Sequence, residues 1–246
     1  MALSISQTAA LGPLLREGAR IAAFGYPDAI APLEMFKEML GERFSKLEYR
    51  LDSDAICKRH GLRDRDIPDS RSVFQLMGCS LVVYDIVKER GCEVLCDLNR
   101  PNEFIHVAEY APYDVVLDVG TLEHCFNIAQ AAINMANLVK LGGVIIHENP
   151  FLMGNHGFYS MNPTWYADFY GANGFELLDC RLTTRDGKSL RVPPVQRFVF
   201  TSDECNVFAM AKRLVGKTMV YPTQSKYAKL IPAAEERAEL KEAVHG

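Results

Sequence analysis

Three histidines stand where a proton could be taken from a bound molecule: His124, His147 and His156. Imidazole exchanges protons near neutrality, so a histidine on a loop is a ready general base for a hydroxyl. His124 follows Glu123, His147 precedes Glu148 and Asn149, and His156 lies in Gly154-Asn155-His156-Gly157 beside Phe158 and Tyr159. The glycine-flanked loop makes His156 the first candidate for the base, with the Tyr159 hydroxyl as an orienting group. The competing reading is a loop histidine bonded only to backbone. His124 serves equally as a frame for the site or as a second base. Strand alternation sends His147 and Glu148 to opposite faces, leaving one of them free to do no more than satisfy backbone.

The elements that must hold these residues centre on the stretch from Tyr113 to Pro150. Val115, Val116, Leu117 and Val119 form a β-branched apolar run of strand length, ended by Gly120. Ile128, Ala132, Met135, Ala136, Leu138 and Val139 recur at helical spacing, Lys140 and Gly142-Gly143 close that helix, and Val144-Ile145-Ile146 is a second strand. Strand, helix and strand make a right-handed βαβ unit, and open α/β sheets bind ligands at the carboxyl ends of their strands. Here those ends are residues 120–127 and 147–155.

Upstream, a helix anchored by Leu11, Leu14 and Leu15 is expected over Ser4 to Gly18, and a strand over Arg20 to Phe24 that runs into Gly25-Tyr26-Pro27-Asp28. A short helix spans Ser72 to Gly78, a second strand Leu81 to Tyr84 ends at Asp85, and a third, Cys92 to Cys96, ends at Asp97-Leu98-Asn99. Residues 33–78 exceed what one crossover requires. They read as an insertion, a lid or a partner surface, with a helix from Leu33 to Phe44 and a charged loop from Leu47 to Pro68. Arg63, Arg65 and Arg71 alternate there with Asp64, Asp66 and Asp69 as a solvated face. Arg100-Pro101-Asn102 turns the chain towards a short helix before Tyr113.

Downstream, Asn162-Pro163-Thr164 opens a helix bearing Trp165, Tyr166, Phe169 and Tyr170, and Glu176 to Leu182 is a strand. A closing hairpin is expected from Arg197 to Thr201 with Cys205 to Arg213. The aromatic group from Phe158 to Tyr170 is either the packed face of that helix or a stacking wall for an acceptor. Residues 1–224 read as a single domain, and 225–246 as a surface helix or flexible tail.

A chain of 246 residues, 48% apolar and 24% charged, can bury one α/β core. A net charge of -4 offers no broad basic footprint for nucleic acid. No apolar run reaches a membrane span and the start lacks a signal peptide's pattern, so the expected location is cytoplasmic. The seven cysteines read as reduced structural thiols. Cys92 and Cys96 share a face, but no second pair stands at zinc spacing, so no metal site is expected. Neither G-x-S-x-G nor H-E-x-x-H occurs, which removes the commonest hydrolase and metalloprotease signatures.

The run YDVVLDVGTLEH with the later Gly142-Gly143 resembles the second half of a class I, Rossmann-like S-adenosylmethionine-dependent methyltransferase. Gly154 to Pro163 is similar to a segment of bacterial methyltransferase-like proteins linked with glycan or secondary-metabolite pathways. The resemblance covers roughly Arg20 to Arg213. It implies a mostly parallel, seven-stranded sheet with an antiparallel closing hairpin and helices on both faces. It also implies S-adenosyl-L-methionine as cofactor, held by Gly25 and Tyr26 after the first strand, Asp85 and Ile86 after the second, Asp97 and Leu98 after the third, and Gly120, Thr121 and Glu123 after the fourth.

Asp85 would take the ribose diol and Asp97 the adenine amine, with Leu98 packed on the ring. The implied reaction is methylation of an oxygen on a small molecule or glycan precursor, by a chain that could act as a homodimer. Only one glycine stands in the first loop, where the family has two or three. That departure favours the alternative, a Rossmann-like binding or scaffold module without catalysis, if Tyr26 fills the cofactor's place. A nicotinamide dehydrogenase lacks its G-x-G-x-x-G.

Overall fold

The computed structural model describes residues 2–101, 112–184, 186–199, 204–228 and 230. In chain order the elements are β1 (Ala2–Leu3), α1 (Ile5–Leu11), β2 (Arg20–Phe24), β3 (Asp28–Ala29), α2 (Leu33–Leu40), α3 (Ser53–His60), α4 (Ser70–Leu76), β4 (Ser80–Asp85) and β5 (Val94–Leu95). There follow β6 (Tyr113–Asp118), α5 (Ile128–Leu138), β7 (Val139–Leu152), α6 (Pro163–Ala172), β8 (Phe175–Thr184), β9 (Ser189–Arg191), β10 (Cys205–Arg213) and α7 (Ser225–Ala228).

Strand alternation builds two cores on one sheet. In β2, Ile21 and Ala23 pack with α1, α2 and α4, whereas Ala22 and Phe24 pack with α5 and α6. Because both faces are covered, the central strands read as continuous apolar runs. The sheet has eight strands in the order β5-β4-β2-β6-β7-β10-β8-β9. The first five are parallel to one another. β10 runs antiparallel between β7 and β8, and β9 antiparallel to β8. The chain leaves β2 for β4 and β5 on one side and fills β6 and β7 on the other. The carboxyl ends of β2 and β6 therefore flank the switch point where such sheets hold ligands.

The α/β class, the parallel core and the antiparallel closure agree with the expectation; several details differ. The hairpin partner of β10 is β8, with Cys205 opposite Thr184 and Arg213 opposite Phe175, and the eighth strand is β9. Arg197 to Val199 form no strand, and 200–203 lie outside the described residues. So does the short helix expected before Tyr113. Of the third strand only Val94–Leu95 pairs, at the sheet edge. α2 stops at Leu40 and continues as a 3-10 turn to Lys46. The charged segment after it contains α3, ended by Gly61 in the left-handed region, and a bridge from Tyr49 to Pro68. Its core is only Ile56, Cys57 and Ile67, with Ile30 and Leu62 beside it, too little to make a visible pattern.

Gly142-Gly143 does not end α5. The helix stops at Leu138, and the glycines form an irregularity within the 14-residue β7, whose partners of Tyr113 and Val115 are Val139 and Val144. Gly142 has φ +76, and a Cβ on Gly143 would lie 3.0 Å from the Asp114 carbonyl oxygen. The extra residues bulge outward there. Among the described residues no helix is long and apolar enough to cross a membrane.

Asp114, at the amino end of β6, ties three segments. Its carboxylate accepts from Arg16 Nη2 (3.2 Å), from the Arg20 backbone N–H (3.0 Å) and from Lys140 Nζ. Burial alone would raise this carboxyl, but the bonds from Lys140, Arg20 and Arg16 prevail and hold it below the usual range. A depressed folded-state pKa gives stability that is present above the unfolded value near ~3.9 and is lost as pH falls through the folded value. Asp114→Asn is expected to lower the urea midpoint at pH 7 and to flatten its decline below about pH 4. Equal losses at both ends of a urea series across pH would show that the charge contributes nothing.

Candidate functional site

At the carboxyl ends of the central strands the backbone is drawn together by short polar links. Gly25, at φ +80, donates its N–H to the Tyr84 carbonyl at 2.7 Å, and Thr121 Oγ1 donates to the Phe24 carbonyl at 2.7 Å. The turn that follows β6 thus lies across the end of β2, with Gly120 at φ +88.

Beneath that turn lies a buried polar network. Asp118, the last residue of β6, is fully buried, and its Oδ1 accepts from the backbone N–H of Thr121 (2.9 Å) and Leu122 (3.2 Å). Its Oδ2 accepts from His147 Nδ1 (2.7 Å) and Asn149 Nδ2 (2.8 Å). With its proton on Nδ1, His147 accepts at Nε2 from the Tyr170 hydroxyl, 2.5 Å away. Tyr166 donates to Asn149 Oδ1 at 2.5 Å. Burial pushes the Asp118 carboxyl up, but the hydrogen bonds from His147, Asn149 and the Thr121 N–H bring it below the ordinary range. Burial first, then the Asp118 charge, raises both tyrosines well above theirs. Glu148 faces the other way, accepting from Ser4 Oγ at the start of α1 and from Thr183 Oγ1 (2.7 Å).

Asn149 connects this network to the surface. The same Nδ2 that meets Asp118 donates to Glu123 Oε2 at 2.9 Å. Glu123 is 1% exposed, and its other oxygen, Oε1, faces His156 Nε2 at 3.5 Å and His124 Nε2 at 3.9 Å. Both imidazoles are about half exposed, their ring centroids 5.2 Å apart. The 154–160 loop is clamped onto Glu123: Phe158 N–H donates to the Glu123 carbonyl at 2.9 Å, and a Cβ on Gly157 would sit 2.9 Å from that oxygen. The facing Glu123 carboxylate raises the His156 pKa, against the opposing effect of burial.

The structure therefore brings Glu123, His124 and His156 together, while His147 serves the buried network. Tyr159 spends its hydroxyl on the Phe126 carbonyl at 2.8 Å. Tyr166, Phe169 and Tyr170 are buried helix-face residues, whereas Phe158 and Phe126 form an exposed edge-to-face pair with centroids 5.5 Å apart. Asp85 ends β4 half-buried, with Oδ1 accepting from Val87 N–H at 3.3 Å. Burial raises its carboxyl, partly opposed by the N–H groups of Val87 and Ile86. Ile86 is exposed. Asp97 is oriented by Asn99 Nδ2 (2.9 Å) and Arg100 Nε (3.2 Å), and Leu98 is buried in the core beside α5.

Tyr26 is buried, its hydroxyl donating to Asp69 at 2.8 Å and its ring flanked by the guanidiniums of Arg50 and Arg90 at 5.3 and 5.4 Å. It lines a polar cavity of about 300 Å³ with Arg71, Ser72 and Cys92. Asp118 and Asn149 were not site candidates from sequence, and Tyr166 and Tyr170 entered only as a helix face or stacking wall. Alternation in β7 places His147 and Asn149 on one face, and that spacing was the available signal.

No protein-family model matches the sequence, and no curated protein does. Among solved structures the chain is similar to the MycE methyltransferase from the mycinamycin biosynthetic pathway, in complex with Mg, SAH and mycinamycin VI. Identity is 12% and the TM-score 0.43, over 85% of this chain and 49% of that one, so this chain spans about half its length. It is similar also to the Burkholderia thailandensis 1,6-didemethyltoxoflavin-N1-methyltransferase (16% identity, TM-score 0.43, 84% and 76% covered). A third is the [4+2]-cyclase SpnF (11%, 0.43, 86% and 81%). Similarity of this degree is no warrant for an activity, and the chemistry rests on the site itself.

Asn149 is the joint between the two carboxylates. Asn149→Leu removes a shared donor and strands Tyr166, Asp118 and Glu123, so a loss of roughly 3–5 kcal/mol is expected in urea denaturation, as for other broken buried ionic networks. A loss within about 0.5 kcal/mol, the range of an ordinary surface change, would show that the network is not coupled through this amide.

Proposed function

We propose that the chain is an S-adenosylmethionine-dependent methyltransferase that methylates a hydroxyl of a small molecule or glycan precursor. The observation that carries this reading is the buried Glu123 carboxylate presenting two half-exposed imidazoles beside the switch-point crevice. The residues around that crevice fit the cofactor. Asp85 is a partly desolvated carboxylate at the end of the strand next to β2, suited to accept from both ribose hydroxyls. Asp97 follows the next strand, fixed by Asn99 and Arg100, as an acceptor for the adenine amine. Gly25 and Gly120 keep side chains out of the backbone turns between them. The bulk of Tyr26 is taken up by Asp69, Arg50 and Arg90, which supports the catalytic reading over the scaffold one.

When bound, the cofactor would supply a methyl group on a sulfonium: the O–C bond to an acceptor hydroxyl forms as the C–S bond breaks, S-adenosylhomocysteine leaves, and the hydroxyl loses its proton. The chain's task is to align the hydroxyl and to accept that proton. The Glu123–His124–His156 cluster does the second, with His156 nearer to Oε1. The exposed Phe126–Phe158 pair offers an acceptor an aromatic surface next to it.

Calorimetric titration with S-adenosylhomocysteine is expected to give one site, weakened roughly 10- to 100-fold in Asp85→Ala, the loss of hydrogen bonds to a charged acceptor. His156→Ala should leave that affinity within about twofold and lower methyl transfer to a screened hydroxylated acceptor by roughly 10²- to 10⁴-fold. Absence of binding by folded protein would return the chain to the non-catalytic module.

A further inference from the structure

Glu123, His124 and His156 hold more than the parts of a general base. One ligand atom from each of the three residues lies within 4.8 Å of the other two, and Glu123 Oε1 faces both Nε2 atoms. The separations from Oε1, 3.5 and 3.9 Å, are longer than the roughly 2.7–3.2 Å of a hydrogen bond. They are close to the spacing of two ligands on one ion. Ligands about 2.0–2.1 Å from a metal stand roughly 3.3–3.6 Å apart for bond angles between tetrahedral and trigonal.

From this we infer that Glu123, His124 and His156 form a binding site for one divalent transition-metal ion, with remaining positions open towards the exposed side of the two imidazoles.

Three features argue for a built site. The carboxylate is preset: its second oxygen is held by Asn149 Nδ2, and Asn149 is in turn held by Tyr166 and Asp118. Metal ligands are oriented by such outer partners, whose loss typically weakens binding 10- to 100-fold. The two loops are locked together by the Phe158 to Glu123 backbone bond and by the missing Cβ of Gly157, which fixes His156 beside His124 without any metal. The ligand set also sorts the ions. Two imidazoles and one carboxylate suit Zn²⁺, Fe²⁺, Co²⁺ or Ni²⁺, whereas Mg²⁺ and Ca²⁺ take oxygen ligands.

The site coincides with the cluster proposed above for proton removal and deepens that reading. With the ion bound, the ion replaces His156 as the group that promotes proton loss: an acceptor hydroxyl at an open position would be acidified, His156 would be a ligand, and the proton would pass to bulk water. Metal binding itself does not depend on methyl transfer.

The test is calorimetric titration of the reduced full chain with Zn²⁺, repeated with Mg²⁺, together with Co²⁺ read by its visible absorption. One equivalent of Zn²⁺ is expected at micromolar affinity or better, with Mg²⁺ at least about 100-fold weaker. Both histidines are half exposed, so His124→Gln/His156→Gln keeps the fold by circular dichroism and is expected to abolish the site. Asn149→Asp, which retains much of the side chain's shape, should change Zn²⁺ affinity by about tenfold or more. No binding by the wild type overturns the proposal, and so does Zn²⁺ binding undiminished in the double variant, since other groups would then hold the ion. A chain that holds the ion but not S-adenosylhomocysteine overturns the methyl-transfer reading and supports this one.

Discussion

The structure depends on how one carboxylate, Asp118, is kept charged with no water around it. Taking such an ion out of solvent costs several kcal/mol even after relaxation. Four donors compensate: two backbone N–H groups of the following turn and the side chains of His147 and Asn149. Each fixes something larger than itself. The N–H groups set the turn that carries Gly120 to His124. His147, directly opposite Asp118 across β6 and β7, pins the register of the two strands that flank the site. The Gln7 side chain caps the Asp118 carbonyl at 2.9 Å, which holds α1 over the same strand ends.

From Asp118 the constraint spreads to the helix layer. Tyr166 and Tyr170 lie one turn apart on α6 and direct their hydroxyls at Asn149 and His147. An apolar residue at either place would pack as well and leave an imidazole or an amide unsatisfied, at roughly 1–3 kcal/mol each. The helical part of the aromatic stretch is thus a packed helix face that also carries polar bonds. Tyr166 and Tyr170 complete the polar network, Phe169 packs in the core, and Phe158 is exposed to a ligand.

How much of this was legible follows from where the signals lie. β2, β4, β6 and α5 are written as local periodicity, and strand alternation correctly divided His147 from Glu148. β7 was misjudged because Gly142-Gly143 is the usual sign of a helix end, whereas here it makes an irregularity in a strand that the Asp114 carbonyl approaches closely. α3 was hidden because only two of its eight residues, Ile56 and Cys57, are buried apolar ones. The meeting of His124 with His156 was not readable, since it depends on a backbone contact between Gly157 and Glu123, and contacts of that kind leave no spacing rule. Cysteines have a metal spacing rule that can be read along a chain, whereas a Glu-His pair that meets a distant histidine has none.

Asp118 and Glu123 also set the electrostatic character of the crevice. Two buried carboxylates share a single amide hydrogen-bond donor group, so Asn149 joins them without neutralising either. His147 compensates the inner one. The outer one shares the Asn149 amide at Oε2 and faces the two half-exposed imidazoles at Oε1, where low dielectric carries its charge towards the surface. Such a place selects for positive charge.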